Sequence, residues 1–115
     1  MRILFTALTA GLILSSCLTA RSEVWTVTAY CACAVCTDYG MGITASGKRV
    51  RVGHAAANCL PFGTKLYVEG YGEVVIEDRG SEKWFGTMRN PKRRLDIYFE
   101  THAEAVAWGV KKLNV

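Results

Sequence analysis

The chain has 115 residues, a formal net charge of +4, and a composition that is 50% hydrophobic and 21% charged. That length holds one domain and not two, and a chain this small buries only about 60 to 65% of its unfolded surface, so crosslinks matter to its stability. The modest positive charge suits anionic partners, and the export signal described next argues against nucleic acid as one of them.

Arg2 is followed by a mostly apolar, uncharged run from Ile3 to Leu14, then Ser15 and Ser16 before Cys17. This is the plan of a secretory signal: a positive start, an apolar core and a small-residue cleavage site. An apolar core of about 12 residues at 1.5 Å per residue is too short to span roughly 30 Å of hydrocarbon. Leu14-Ser15-Ser16-Cys17 resembles a bacterial lipobox. We therefore expect residues 1–16 to be a lipoprotein signal and Cys17 to be acylated, with residues 17–23 as a short link and residues 24–115 as the domain. The alternative is an ordinary signal cleaved near Ala20. Five cysteines are odd for an exported chain, and removing Cys17 leaves an even four. Leu18 after Cys17 resembles the pattern of lipoproteins sorted to the outer membrane, on its periplasmic face.

The following segments read mainly as short strands. Residues 23–30 (EVWTVTAY) are rich in β-branched and aromatic types, and residues 65–69 and 73–77 flank Gly70-Tyr71-Gly72, a hairpin turn signal. Residues 94–99 (RLDIYF) alternate, with Leu95, Ile97 and Phe99 on one face and Arg94, Asp96 and Tyr98 on the other. Glycines at short spacing punctuate these runs as in a barrel or sandwich. One helix is predicted behind Thr101-His102-Ala103-Glu104, a capping box, with Ala103, Val106, Ala107 and Val110 as its apolar face. Lys111 and Lys112 then suit its negative end, and residues 113–115 could form a last strand.

Cys31, Cys33 and Cys36 follow the first strand, and Cys59 lies further on. In an oxidising compartment two disulfides are the default; Cys31 or Cys33 with Cys59 is the expected long link, because a Cys-x-Cys bridge is strained. The rival is a four-thiolate zinc site. A catalytic cysteine with His54 or His102 is the weakest reading, for no Cys-His-Asn spacing stands out.

Asp96 sits in Leu95-Asp96-Ile97-Tyr98-Phe99, although aspartate is depleted in strands. Either it faces water beside Arg94, or it is a carboxylic acid in an apolar wall, its pKa raised by desolvation. Asp78 ends the EVVIE run, where it can also be a turn starter or a partner for Arg79.

These residues belong to a longer pattern: Thr28-Ala29-Tyr30-Cys31-Ala32-Cys33 with Cys36; Gly42-Ile43-Thr44-Ala45-Ser46-Gly47; Pro61-Phe62-Gly63-Thr64-Lys65-Leu66-Tyr67-Val68; Val75-Ile76-Glu77-Asp78-Arg79-Gly80; and Leu95-Asp96-Ile97-Tyr98-Phe99 before His102-Ala103-Glu104-Ala105. Five motifs in this order, over about residues 24–115, resemble the three-aspartate (3D) domain, related to the catalytic domain of murein transglycosylase A. The resemblance implies a mainly β fold, a six-stranded double-psi β-barrel with one short C-terminal helix. It implies lytic cleavage of peptidoglycan between N-acetylmuramic acid and N-acetylglucosamine, with Asp96 as acid and base and Asp78 orienting it. Thr28, Tyr30, Thr44, Ser46, Lys65 and Asn58 are the implied substrate-binding residues, each of the first five equally explicable as ordinary packing. No cofactor, metal or nucleic acid is implied; the expected partners are glycan strands and, through the lipid, a membrane, with the protein acting as a monomer. An alternative on the same barrel is a glycan-binding module, and a third is an accessory lipoprotein without a sugar cleft.

The chain departs from the family pattern twice. Ala56-Ala57-Asn58 stands where the family's first aspartate falls, and residues 81–93 replace a short turn. Trp84 and Phe85 in that insertion are candidates either to stack on sugars or to pack the loop itself.

Overall fold

The computed structural model describes residues 23–33 and 42–115. The expected signal, the acylated Cys17, most of the link and Cys36 lie outside the described residues. None of the described helices is long and apolar enough to cross a membrane.

The fold is mainly β, with six strands and two short helices among the described residues. In chain order they are β1 (Val24–Tyr30), β2 (His54–Ala56), β3 (Lys65–Val68), β4 (Gly72–Asp78), α1 (Glu82–Phe85), β5 (Arg94–Tyr98), α2 (His102–Trp108) and β6 (Lys111–Asn114). They form one curled sheet in the order β3-β4-β2-β5-β1-β6. The β1–β5 and β2–β4 pairs are parallel and the other three antiparallel. Parallel neighbours need crossover connections, so each carboxylate-bearing strand is paired with one distant in sequence. The curl brings the two edges together at one rim, where Glu69 N–H donates to Asn114 O at 3.0 Å and Asn114 N–H donates to the Glu69 carboxylate at 2.9 Å.

Strand alternation builds the core. Val27, Val74, Ile76, Leu95 and Ile97 are fully buried on one face with Trp25, Ala55 and Val68, each large aliphatic side chain contributing about 2 kcal/mol. A second, smaller cluster of Tyr30, Ala56 and Tyr98 is buried apart from it, with the two rings edge to face at 5.7 Å. Residues of β5 thus serve both: Leu95 and Ile97 the core, Tyr98 the second cluster.

The hairpin forms about the expected turn, where positive φ at Gly70 and Gly72 requires residues without a Cβ. The capping box forms as well: Thr101 Oγ1 accepts from Glu104 N–H at 3.1 Å, and Thr101 N–H donates to Glu104 Oε1 at 3.3 Å. The helix face differs from the expected one. Ala105 and Trp108 turn inward, whereas Val106 and Val110 are 65% and 69% exposed. A two-turn helix has room for one inward spot, and Trp108, edge to face with Tyr71 and tilted against Phe99, fills it with far more area than valine. Lys111 and Lys112 do not close the helix; they begin β6, where Lys111 lies over the Trp108 ring and Lys112 donates to Thr26 Oγ1. The periodicity also missed β2 and α1, each too short to show a period.

Candidate functional site

The site is a row of residues running across four strands. Thr28 of β1 stands opposite Asp96 of β5, Asp96 opposite Ala56 of β2, and Ala56 opposite Asp78 of β4. The last pairing depends on an irregularity. His54 lies opposite Val75 and Ala55 opposite Ile76, but the register then shifts so that Ala56 meets Asp78 instead of Glu77. A bulge of this kind re-aims a side chain, and here it brings the second carboxylate into line with the first.

Asp96 is half-buried, and the Thr28 hydroxyl can donate to its Oδ1 at 3.0 Å or to Leu95 O at 3.3 Å. Burial pushes its carboxyl from 3.8 up to about 6; the charge of Asp78 adds to this, while the Thr28 hydrogen bond and Arg94 act against it. Desolvation wins because one hydrogen bond replaces a full hydration shell. Asp96 is thus neither fully exposed to water nor enclosed in the core, but half-buried beside Thr28.

Asp78 is fixed from both sides of its carboxylate. Oδ2 accepts from the Tyr30 hydroxyl at 3.0 Å, and Oδ1 accepts from the backbone N–H groups of Ala45 and Arg79, both at 2.9 Å. The Arg79 guanidinium goes elsewhere, donating to Ala57 O at 2.9 Å and lying over the Phe62 ring. Burial, then the charge of Asp78, hold the Tyr30 phenol proton in place well above the ordinary tyrosine range. Tyr30 is thus a permanent donor, sensing both carboxylates.

The segment before β2 docks on the end of β4. Ser46 N–H donates to Glu77 O at 3.1 Å, Thr44 and Ser46 hydroxyls are 2.9 Å apart, and Lys48 Nζ pairs with the buried Glu77 carboxylate at 2.9 Å. The Lys48 hydrogen bond holds Glu77 below the usual carboxylate range. Sequence reasoning missed Lys48 and Glu77. Their signal, a lysine just after Thr44-Ala45-Ser46 and a glutamate beside Asp78, means nothing until the two segments meet.

Of the other expected site residues, Thr28, Tyr30, Thr44 and Ser46 gather around the carboxylates or the loop that holds Asp78. Lys65 stands apart, exposed at the start of edge strand β3 opposite Val75. Asn58 is buried with its amide wholly spent on the insertion: Nδ2 donates to Gly80 O at 2.9 Å and to Gly86 O at 2.8 Å, and Oδ1 accepts from Gly80 N–H at 2.9 Å. It clamps a loop and offers a ligand little. Of the two aromatics in that loop, Phe85 is buried against Gly80 and Trp84 is 54% exposed with Arg94 over its ring.

The cysteines do not form the expected long link. Cys59 carries a free thiol and lines a hollow with Trp25 and Arg93, a hollow that includes neither carboxylate. Cys31 follows the other end of β1, about 20 Å from Trp25 at roughly 3.3 Å per residue, far beyond disulfide reach. Cys31 and Cys33 instead meet at His102, the first residue of α2.

Comparison with known proteins agrees with the motif order. The chain is 35% identical over 97 residues to the cell wall-binding protein YocH of Bacillus subtilis, an alignment covering 78% of this chain and 30% of that protein. It is 33% identical over 58 residues to a Bacillus subtilis protein named "Putative cell wall shaping protein YabE", covering 50% of this chain and 12% of that one. The chain therefore spans less than a third of either relative. The family model described as "3D domain" matches residues 57–115, the half of the chain that carries Asp78 and Asp96. With this match over half of the chain, both aspartates inside it, the chain belongs to the 3D-domain family.

Proposed function

We propose that the protein acts on peptidoglycan outside the cytoplasm as a lytic transglycosylase, with Asp96 as the acid and base. The observation that carries this reading is a half-buried carboxyl raised to about 6 in a row with a second, fixed carboxylate. A carboxylic acid with that value is close enough to neutral pH to be used in both protonation states. Protonated Asp96 gives its proton to the glycosidic oxygen, which leaves on N-acetylglucosamine as a hydroxyl. The muramyl C6 oxygen bonds to C1 as the C1–O bond breaks, and its proton passes to the Asp96 carboxylate, regenerating the acid. No water is consumed, and one carboxyl serves both steps because the nucleophile is the substrate's own. Asp78, held by Tyr30, Ala45 and Arg79, faces the positive charge that develops at the sugar. The double-psi form of the barrel and an acylated Cys17, holding the domain near a membrane and its wall, belong to this same reading.

A second reading is a non-catalytic peptidoglycan-binding module. It is favoured by the name of the cell wall-binding relative and by Asn58 standing where the family's first aspartate falls. Digestion of purified sacculi with residues 18–115, followed by mass analysis of released muropeptides, separates the two. Anhydro products that disappear in Asp96→Asn support the enzyme. Sedimentation with sacculi and no released products supports the module, and reducing ends without the anhydro ring mean hydrolysis.

A further inference from the structure

Cys31, Cys33 and His102 come together from two distant parts of the chain. His102 Nδ1 lies 3.7 Å from Cys31 Sγ and 3.6 Å from Cys33 Sγ, and the three atoms all fall within 4.8 Å of one another. Tetrahedral zinc with Zn–S near 2.3 Å and Zn–N near 2.05 Å places a sulfur and a nitrogen about 3.6 Å apart. Both S···N separations match that edge. A histidine nitrogen equidistant from two sulfurs is the arrangement of three ligands around a common centre, and a bridge between the two cysteines alone would leave His102 without a role in it. The two sulfurs, 2.9 Å apart, need to open to about 3.8 Å, the S···S edge of the same tetrahedron. Cys33 is only half-buried and His102 exposed, so their side chains have room to make that adjustment.

We propose that Cys31, Cys33 and His102 bind a zinc ion that fastens the end of β1 to the start of α2. Soft thiolates with one imidazole suit zinc among the common divalent ions. Binding releases the two thiol protons to solvent, leaves His102 neutral and cancels the ion's charge with two thiolates. Among the described residues three side chains supply ligands, which leaves a fourth position for solvent or a further side chain. The ion takes no part in the acid–base chemistry proposed above. Its consequence is mechanical: Cys31 follows Tyr30, whose hydroxyl holds Asp78, so the ion pins the strand end that positions that donor.

The test loads the full chain, purified under reducing conditions, with zinc sulfate, removes the excess, and measures bound metal by elemental analysis and melting temperature by calorimetry. The expected result is one zinc per chain, a higher melting temperature, and a thiolate-to-metal charge-transfer band when cobalt(II) replaces zinc. His102→Ala, at an exposed position that leaves the fold intact, should weaken zinc binding at least tenfold. Cys59→Ser, whose thiol lies elsewhere, should bind as the parent does. The proposal is overturned if reduced protein retains no metal, if His102→Ala binds as tightly as the parent, or if peptide mapping finds a Cys31–Cys33 disulfide that zinc and reductant together do not replace.

Discussion

Ala56 stands between two aspartates, opposite Asp96 on β5 and opposite Asp78 on β4. A larger side chain here would fill the space between the carboxyl groups, and without the shift in register Glu77 would take the place of Asp78. The small residue and the bulge together make the row, and both belong to a strand of three residues.

The first prediction concerns Asp96 and pH. Its carboxyl binds a proton more tightly in the folded state, about 6, than its ordinary value of 3.8. Below both values the group costs nothing. As pH rises through the folded value the protein must carry a buried charge, and stability falls by up to about 3 kcal/mol. Asp96→Asn lacks this cost. It should be more stable than the parent at pH 8 and nearly equal at pH 4, as measured by urea denaturation at each pH. Parallel stability profiles for the two proteins would rule the assignment out.

If Asp96 is the acid, product release from sacculi should fall as pH rises above 6, approaching tenfold per unit once the carboxyl is mostly ionised. Asp96→Asn should lose release at every pH while still sedimenting with sacculi. A parent rate that climbs through pH 7 and 8 contradicts the proposed role.

Tyr30→Phe removes the donor to Asp78 Oδ2 and leaves the ring packed against Tyr98. We expect a stability loss of about 1 kcal/mol, typical of one hydrogen bond, and a lower rate of anhydro-muropeptide release with binding to sacculi retained. An unchanged rate would show that Asp78 needs no fixing by Tyr30.

Asn58→Asp would restore the family's aspartate by composition, yet it should not restore a function. The two Asn58 donors face Gly80 O and Gly86 O at 2.9 and 2.8 Å. A carboxylate there would oppose two carbonyl oxygens in a buried position, costing about 3 kcal/mol or more. Thermal denaturation should show a large loss of stability. A variant as stable as the parent would mean that the amide clamp is not needed.

Gly80→Ala tests the same loop from the other side. A Cβ at Gly80 would run into the Phe85 ring. Phe85 is buried, so the ring has little freedom to withdraw, and the expected cost is about 1 to 3 kcal/mol in chemical denaturation.

The local signals carried much of the fold. The alternation of Leu95 and Ile97, the glycine-flanked turn at residue 71 and the Thr101–Glu104 capping box each depend on residues a few positions apart, and each appears in the structure. The motif order pointed to the family, Asp96 stood out because an aspartate is costly in a strand, and Asp78 stood out at the end of the EVVIE run. What lay beyond the sequence was every relation set by strands pairing across long separations. The bulge at Ala56 decides which acidic residue joins Asp96, desolvation decides that Asp96 binds a proton more tightly than an ordinary aspartate, and the packing of Trp108 decides which face of α2 turns inward. The closure of β1 against α2 brings Cys31 and Cys33 to His102 and not to Cys59. Local sequence limits which backbone shapes are cheap; which side chains share a neighbourhood, and how much water they lose there, is fixed only when the sheet has curled.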